Sequence, residues 1–357
     1  MGRSQQKVYG SISLGGKEVK LKLPRVEFYI TNVCNFNCEN CNRLNNYYFS
    51  GHQLWKDHAD HYKQWSQIIE FDKMTILGGE PMLNPSLREW IYGLKALWPN
   101  ALLELTSNGT RLQYWDNFYQ TLLDNQVEVR ITAHNHDRYD GIVEEVLALL
   151  QGTVTRTYHG NFKYWPEVYK QVKDPSWPEC QSADDYAKLP THIQDECRDV
   201  HRIDPENYIK NTHEVDFVDS NGVKITVTYA EDFVTAPLKY AGNNQFQVYN
   251  SDPNVAHDVC ISKYCHHFIR GKLYKCHHVG LLPEFAKQFM VNMTDDEKQL
   301  LDSYQPLTLD SDTEVKKDFI ANIRKVIPQC QLCPSKLESN RLQSSTAKPK
   351  IIKLKKL

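Results

Sequence analysis

The chain is predicted to be an α/β protein whose parallel sheet, with helical crossovers, forms an open, partial (β/α)6 barrel. Three observations predict it. Short strand-like runs recur at 26–31 (VEFYIT), 73–77 (KMTIL), 102–106 (LLELT), 127–132 (VEVRIT), 153–158 (TVTRTY) and 223–229 (VKITVTY). Apolar residues at helical spacing fall between the earlier runs. Unusual polar loops follow the strands, at the strand ends where parallel α/β folds gather reactive groups. About six strand–helix units exceed a small sheet and fall short of a closed eight-stranded barrel.

Taken in order, residues 8–23 alternate around Gly15-Gly16 and predict a β-hairpin within an N-terminal segment 1–25. The barrel domain is expected over 26–235. Its first helix carries Trp55, Ala59, Tyr62, Trp65 and Ile69 on one face; its second carries Leu87, Trp90, Ile91, Leu94 and Leu97. A third helix is expected near 112–124. A fourth carries Ile142, Val143, Val146, Leu147 and Leu150. Residues 160–222, with prolines at 166, 175, 178, 190 and 205, break the rhythm and are expected to be an insertion. A small α+β domain is expected over 236–340, followed by a basic, mobile tail over 341–357.

The bulk numbers exclude several classes. The 357 residues, 41% of them hydrophobic, suffice for a large core. A net charge of -2 gives no bias toward nucleic acid or anionic membrane. No apolar run approaches a membrane span, and MGRSQQKVYG lacks a secretory signal, so the expected location is the cytoplasm. There, ten cysteines point to metal binding before disulfides.

Cys34, Cys38 and Cys41 stand on one loop after the first strand, and Gly78-Gly79-Glu80-Pro81 follows the second. Three thiols supply three ligands to a cluster that needs four, which leaves one iron open to a small molecule. This pairing of motifs resembles the radical S-adenosylmethionine (radical SAM) superfamily, over roughly residues 26–230. The resemblance implies that Cys34, Cys38 and Cys41 hold a 4Fe-4S cluster whose open iron binds S-adenosylmethionine. It implies that Gly78, Gly79 and Glu80 meet the methionine ammonium, through backbone carbonyls and a carboxylate. Thr132 matches a ribose contact, and Ser107-Asn108-Gly109 a turn near the nucleoside. The position before the third cysteine, often aromatic in the family, is Asn40 here; the nearest aromatic residue is Phe36. The residues alone also admit a zinc loop for the thiols, an ordinary tight turn for the glycines, and plain strand or turn roles for Thr132, Ser107 and Asn108.

A second cysteine set follows. Cys260 and Cys276 flank a predicted hairpin centred on Gly271, and Cys330-Gln-Leu-Cys333-Pro lies downstream. The arrangement resembles the twitch and SPASM extensions of radical SAM enzymes and implies one auxiliary 4Fe-4S cluster. Cys260, Cys276, Cys330 and Cys333 are the favoured ligands, with Cys265 as the substitute for Cys260; a four-sulfur zinc site is the alternative. His266, His267, His277 and His278 are expected to be exposed hairpin residues, and Cys180 and Cys197 semi-buried thiols.

The expected function is reductive cleavage of S-adenosylmethionine to a 5′-deoxyadenosyl radical and hydrogen abstraction from a substrate, with oxidation of a small molecule favoured. Only about twenty-five residues precede the first core strand, short of a domain-sized peptide-binding module. His134, His136, Tyr158 and His159 are candidate substrate contacts. The resemblance also implies a low-potential electron donor such as a flavodoxin or ferredoxin. The rival classes are a peptide- or RNA-modifying radical enzyme and a non-catalytic zinc-binding protein.

Overall fold

The structure, a computed structural model, describes residues 20–38, 41–45, 50–134, 139–159, 175–178, 188–190, 193, 214–229, 232–234, 238–242, 245–260, 262–336, 339–341 and 344–345. Its strands and helices begin with β1 (Leu21–Tyr29), β2 (Asn37–Cys38), α1 (Trp55–Ile68), β3 (Ile69–Leu77), α2 (Leu87–Leu97) and β4 (Leu102–Ser107). Next come α3 (Phe118–Asn125), β5 (Val127–Ala133), α4 (Tyr139–Leu149), β6 (Thr155–His159), β7 (Glu214–Val218) and β8 (Lys224–Tyr229). The C-terminal part holds β9 (Asp232–Val234), β10 (Lys239–Gly242), β11 (Gln245–Gln247), α5 (Pro253–Asp258), β12 (His267–Ile269), β13 (Lys272–Tyr274), α6 (His277–Gln288), β14 (Met290–Asn292), α7 (Asp295–Asp302) and α8 (Thr313–Asn322). Among the described residues no helix is long and apolar enough to cross a membrane. The fold is mixed α/β, and the chain divides into two compact units, one from residues 1–107, 124–127 and 233–357, the other from 108–123 and 128–232.

In the first unit the strand order is β13-β12-β1-β3-β4. β1 runs parallel to β3 from Leu21↔Ile69 to Tyr29↔Leu77, and β3 runs parallel to β4. Val26 to Tyr29 are buried in succession, so both faces of β1 are covered, as a parallel sheet between other layers requires. Phe28 sits at the centre: its ring lies 5.3 Å from both Tyr62 of α1 and Phe268 of β12, with Phe71, Trp90 and Trp98 around it. Two expected boundaries move. The first strand starts at Leu21, so residues 21–25, assigned by sequence to a hairpin arm, are core strand. Residues 8–19 of that predicted hairpin lie outside the described residues. The second strand starts at Ile69, directly after α1, and Ile69 is therefore a strand residue and not part of the helix face.

The hairpin predicted around Gly271 is present as β12 and β13, and it joins the sheet through parallel pairing of β12 with β1. Arg270 (φ 51°) and Gly271 (φ 74°) are both left-handed, the two-residue turn whose twist matches its strands. The Trp65 indole N–H donates to the Gly271 carbonyl at 2.8 Å, which ties the hairpin to α1. Its histidines are not exposed: His266, His267, His277 and His278 are all buried, because β12 lies inside the sheet and α6 packs against it.

In the second unit the order is β5-β8-β7-β6. Only β8 beside β5 is parallel; β6, β7 and β8 form an antiparallel meander. The strict strand–helix rotation thus stops at β6. β7 lies within the stretch expected to be an insertion, most of which is outside the described residues. The helix expected over 112–124 is broken into a 3-10 turn at Leu112–Tyr114 and α3, because Asn117 takes a left-handed conformation (φ 57°) between them. The expected tail begins with order: Ser344↔Cys38 and Ser345↔Asn37 pair antiparallel with β2. The lysines of the tail lie outside the described residues, as do Cys180 and Cys197.

Gly93, inside α2, shows how tight the first core is. A Cβ there would lie 2.0 Å from the Trp55 indole, which is itself held between Tyr62 and Trp90. Gly93→Ala is therefore expected to destabilise by about 1–3 kcal/mol despite its better helix propensity. Gly141→Ala in α4, where a Cβ meets nothing within 4 Å, is expected to be neutral or stabilising. Urea denaturation of the two variants checks the contrast.

Candidate functional site

Parallel pairing of β1 and β3 does not end with the strands. The Ile30 N–H donates to Leu77 O at 2.9 Å, Gly79 N–H to Thr31 O at 2.8 Å, and Glu80 N–H to Val33 O at 2.7 Å. The 78–80 loop is thereby laid along the segment that leads into the first thiol. Such an approach leaves no room for side chains. A Cβ on Gly78 would sit 2.6 Å from the Thr31 carbonyl oxygen; one on Gly79 would sit 2.3 Å from that of Val33 and 3.0 Å from Cys34 Cβ. Both glycines are dictated by this contact.

Glu80 comes next and is fully buried. Its Oε1 accepts from the Met82 N–H at 3.0 Å and from Ser107 Oγ at 2.9 Å. Cys34, Gly78, Gly79, Glu80 and Ser107, separated by up to 73 positions in sequence, thus form one neighbourhood at the C-terminal ends of β1, β3 and β4.

The thiol loop is fixed at several points. Cys38 is buried on β2, and Cys34 and Cys41 are half-buried. The Phe36 N–H donates to Cys34 Sγ at 3.4 Å, a contact that favours thiolate. The Cys41 N–H donates to Cys38 O at 3.3 Å. Asn45 donates to Tyr29 Oη at 2.9 Å and to Asn32 O at 2.8 Å. Arg43 reaches Glu27 at 3.0 Å. Asn40 lies outside the described residues. Among the described residues no group of three or more His, Cys, Asp or Glu is placed to hold a metal ion. The donor chemistry of the loop nonetheless fits a thiophilic metal group: three thiols, one of them accepting a backbone N–H.

Glu27 is a functional-region residue that sequence reading missed. It is buried on β1, and its carboxylate meets Arg25 at 3.1 Å, Arg43 at 3.0 Å and His267 Nε2 at 2.8 Å. Burial pushes its carboxyl upward, but His267, Arg43 and Arg25 together hold it well below the usual carboxylate range. A charged residue amid the apolar run VEFYIT was the available signal.

In the second thiol set burial acts first on each shifted thiol. Cys276 is pushed up to about 11 by burial, with the Val279 N–H working against it and the Cys260 and Cys330 sulfurs adding to it. Cys333 is pushed well up by burial and then by Cys276, Cys260 and Cys330. The Cys333 N–H donates to Cys330 O at 3.0 Å on a 3-10 turn, and Cys260 follows α5, whose contacts are with that same turn. Cys265 belongs elsewhere: burial, then the Glu27 carboxylate, pushes its thiol up to about 12. By donor type the thiols of Cys260, Cys276, Cys330 and Cys333 suit zinc or an iron–sulfur group.

The remaining candidates lie in the second unit. Asn108 is buried, and its Oδ1 accepts from Thr110 N–H at 3.1 Å and Thr110 Oγ1 at 2.6 Å, closing a turn before β5. Gly109 takes φ +73°, and a Cβ there would strike Ile131 at 2.7 Å. Thr132 is half-buried on β5 and pairs with Thr228. His134 follows β5; its Nδ1 is shielded from solvent, and burial holds its pKa down to about 4. Tyr158 and His159 lie on β6, while His136 and the side chains of Tyr158 and His159 are outside the described residues.

No family model matches the chain, and no curated protein matches it. Among solved structures it is similar to BtrN in complex with AdoMet and 2-DOIA (17% identity, TM-score 0.27), covering 35% of this chain and 52% of that one. It is similar to Streptococcus suis SuiB bound to S-adenosylmethionine (12% identity, TM-score 0.35), covering 79% of this chain and 66% of that one. A third similarity is to SuiB bound to precursor peptide SuiA (16% identity, TM-score 0.29), covering 36% and 30%. The chain therefore spans less than two thirds of each solved chain. At such TM-scores these likenesses carry no weight in assigning an activity.

Two outcomes follow from the geometry. Gly79→Ala forces a methyl against the Val33 carbonyl; the loop must leave its place, with a loss of about 1–3 kcal/mol in urea denaturation. For His134 the folded-state pKa is depressed, so protonation favours the unfolded chain. Its contribution is fully present above about pH 6.5 and is lost as pH falls toward 4, by at most about 3 kcal/mol. Wild type and His134→Gln, denatured at pH 7 and pH 4.5, should differ more at pH 7.

Proposed function

We propose that this chain is a radical S-adenosylmethionine enzyme that oxidises a small-molecule substrate and carries a second metal group on its C-terminal thiols. The observation that supports it is the clamp of Gly78-Gly79-Glu80 onto Thr31–Cys34, which sets a buried carboxylate beside the CxxxCxxC loop. In this reading Cys34, Cys38 and Cys41 hold a 4Fe-4S cluster with one iron left to S-adenosylmethionine. When bound and reduced, that cluster supplies the single electron that splits the sulfonium into methionine and a 5′-deoxyadenosyl radical.

The chain's own residues then have distinct tasks. The carbonyls of Gly78 and Gly79 and the Glu80 carboxylate accept from the methionine ammonium. Ser107 donates to Glu80 Oε1 and so orients that carboxylate for its ligand. The Phe36 N–H favours the thiolate of Cys34. Thr132 and Asn108 are proposed to lie toward the nucleoside. Cys260, Cys276, Cys330 and Cys333 supply four protein ligands, and a fully ligated group suits accepting an electron from a substrate radical better than anchoring a substrate. A low-potential flavodoxin or ferredoxin is the proposed electron donor.

After anaerobic reconstitution, about eight irons per chain are expected, with four in a Cys34→Ala/Cys38→Ala/Cys41→Ala variant, on the basis of two four-iron groups. That variant should form no 5′-deoxyadenosine from S-adenosylmethionine. Cofactor cleavage that survives the three substitutions, or redox-silent zinc at both thiol sets of the wild type, overturns the assignment. Deuterium transfer into 5′-deoxyadenosine from labelled small molecules, peptide or RNA separates the substrate classes.

A further inference from the structure

Seven large hydrophobic side chains are exposed among the described residues, and three of them stand within five positions of Cys260 or Cys330. Tyr264 is 53% exposed, Val255 48% and Val326 40%. Exposed apolar residues scattered singly are ordinary, so what joins these three decides their meaning. The Arg324 guanidinium lies 5.2 Å from the centre of the Tyr264 ring, and Lys263 Nζ lies 5.8 Å from it. The Arg324 carbonyl meets His257 Nε2 at 2.9 Å, which ties it to α5, the helix that carries Val255. Val326 stands two positions after Arg324, and Lys325 between them is exposed. The Cys260 N–H donates to His257 O at 3.1 Å and the Cys330 N–H to Ile327 O at 3.0 Å. Two half-buried thiols therefore adjoin the same segments. Asp258 is exposed beside them, and its carbonyl accepts from Lys263 Nζ at 3.0 Å.

An exposed tyrosine with an arginine against it, valines beside it and lysines at the rim combines the residue types that carry protein interfaces. The charge selects the occupant. A second copy of this face, brought up about a two-fold axis, would set the same cations against each other. Single-stranded RNA calls for a cationic groove that tracks the backbone, and an anionic membrane for about four to eight clustered cations. Lys263, Arg324 and Lys325 are three, with Asp258 among them. So small a patch, cationic around an apolar centre, is complementary to an acidic protein surface. We infer that the face made by Val255, Tyr264, Val326, Lys263, Arg324 and Lys325 docks an acidic protein, the one-electron carrier of the reaction proposed above. Docking stands on the patch itself; the occupant's role as a carrier rests on the redox reading of the neighbouring thiols.

The test uses the full chain after anaerobic loading with iron and sulfide, with a low-potential flavodoxin as the acidic probe. Binding is measured at low and at physiological ionic strength for wild type, Lys263→Glu/Lys325→Glu and Tyr264→Ser. Lys56→Glu/Lys63→Glu, two exposed positions on α1, is the charge-matched control outside the patch. The patch reversal is expected to weaken binding about ten-fold at low salt and to flatten its salt dependence. Tyr264→Ser is expected to weaken it at both salts, and the α1 control to bind as wild type does. If Tyr264→Ser fails to fold, the comparison of the two charge reversals decides. No binding by wild type, unchanged binding by the patch reversal, or an equal loss in the α1 control overturns the docking surface. Tighter patch-dependent binding of phosphatidylserine vesicles or of oligo(U) RNA than of flavodoxin overturns the protein occupant. Iron content, read first on the same samples, keeps the two readings apart. Flavodoxin held through the patch by a chain that takes up no iron overturns the carrier and leaves the docking surface standing.

Discussion

The site depends on one close approach of backbone to backbone. Because β1 and β3 are parallel and in register, their loops leave the sheet side by side, and hydrogen bonding continues into residues 31–33 and 79–80. Two missing side chains permit it. The consequence is geometric: a carboxylate after one strand and a thiol after the other are held together by main chain, without help from flexible side chains. Ser107 completes the arrangement from the third strand. Three consecutive parallel strands thus each deliver one chemical group to one spot, which is what this architecture does well.

A buried charge cluster supports that spot from below. Glu27 could not remain ionised inside the sheet by itself, since isolated charges are expelled from low-dielectric surroundings. Arg25 comes from its own strand, Arg43 from the thiol loop and His267 from the C-terminal hairpin. The carboxylate therefore joins three parts of the first unit that sequence separates widely. Removing one member of such a set leaves the others buried without compensation, so the set is costly to change piecemeal.

The motifs were legible in the sequence because each is local. Cys34-x-x-x-Cys38-x-x-Cys41, the Gly78-Gly79 turn and the Gly271 hairpin are short spacings set by backbone conformation, and a single stretch carries the whole signal. The strand runs were legible for the same reason, though not their partners. The antiparallel order of β6, β7 and β8 depends on which edges meet, and periodicity says nothing about that. Burial of His267 was hidden likewise: in a short hairpin it looks exposed, and only pairing of β12 with β1 encloses it. Glu27 shows the limit of hydrophobic patterning, which treats a buried ion as an interruption when it is a junction.

Pairing of residues 37–38 with 344–345 bears on how the protein is made. During translation the thiol loop emerges early, but the strand that lies against it leaves the ribosome some 300 residues later. Until then the ladder that Ser344 and Ser345 form with Cys38 and Asn37 cannot close, and the loop's final form waits for those residues to be synthesised. That edge of the thiol loop is thus completed late, after every strand of the large sheet has left the ribosome.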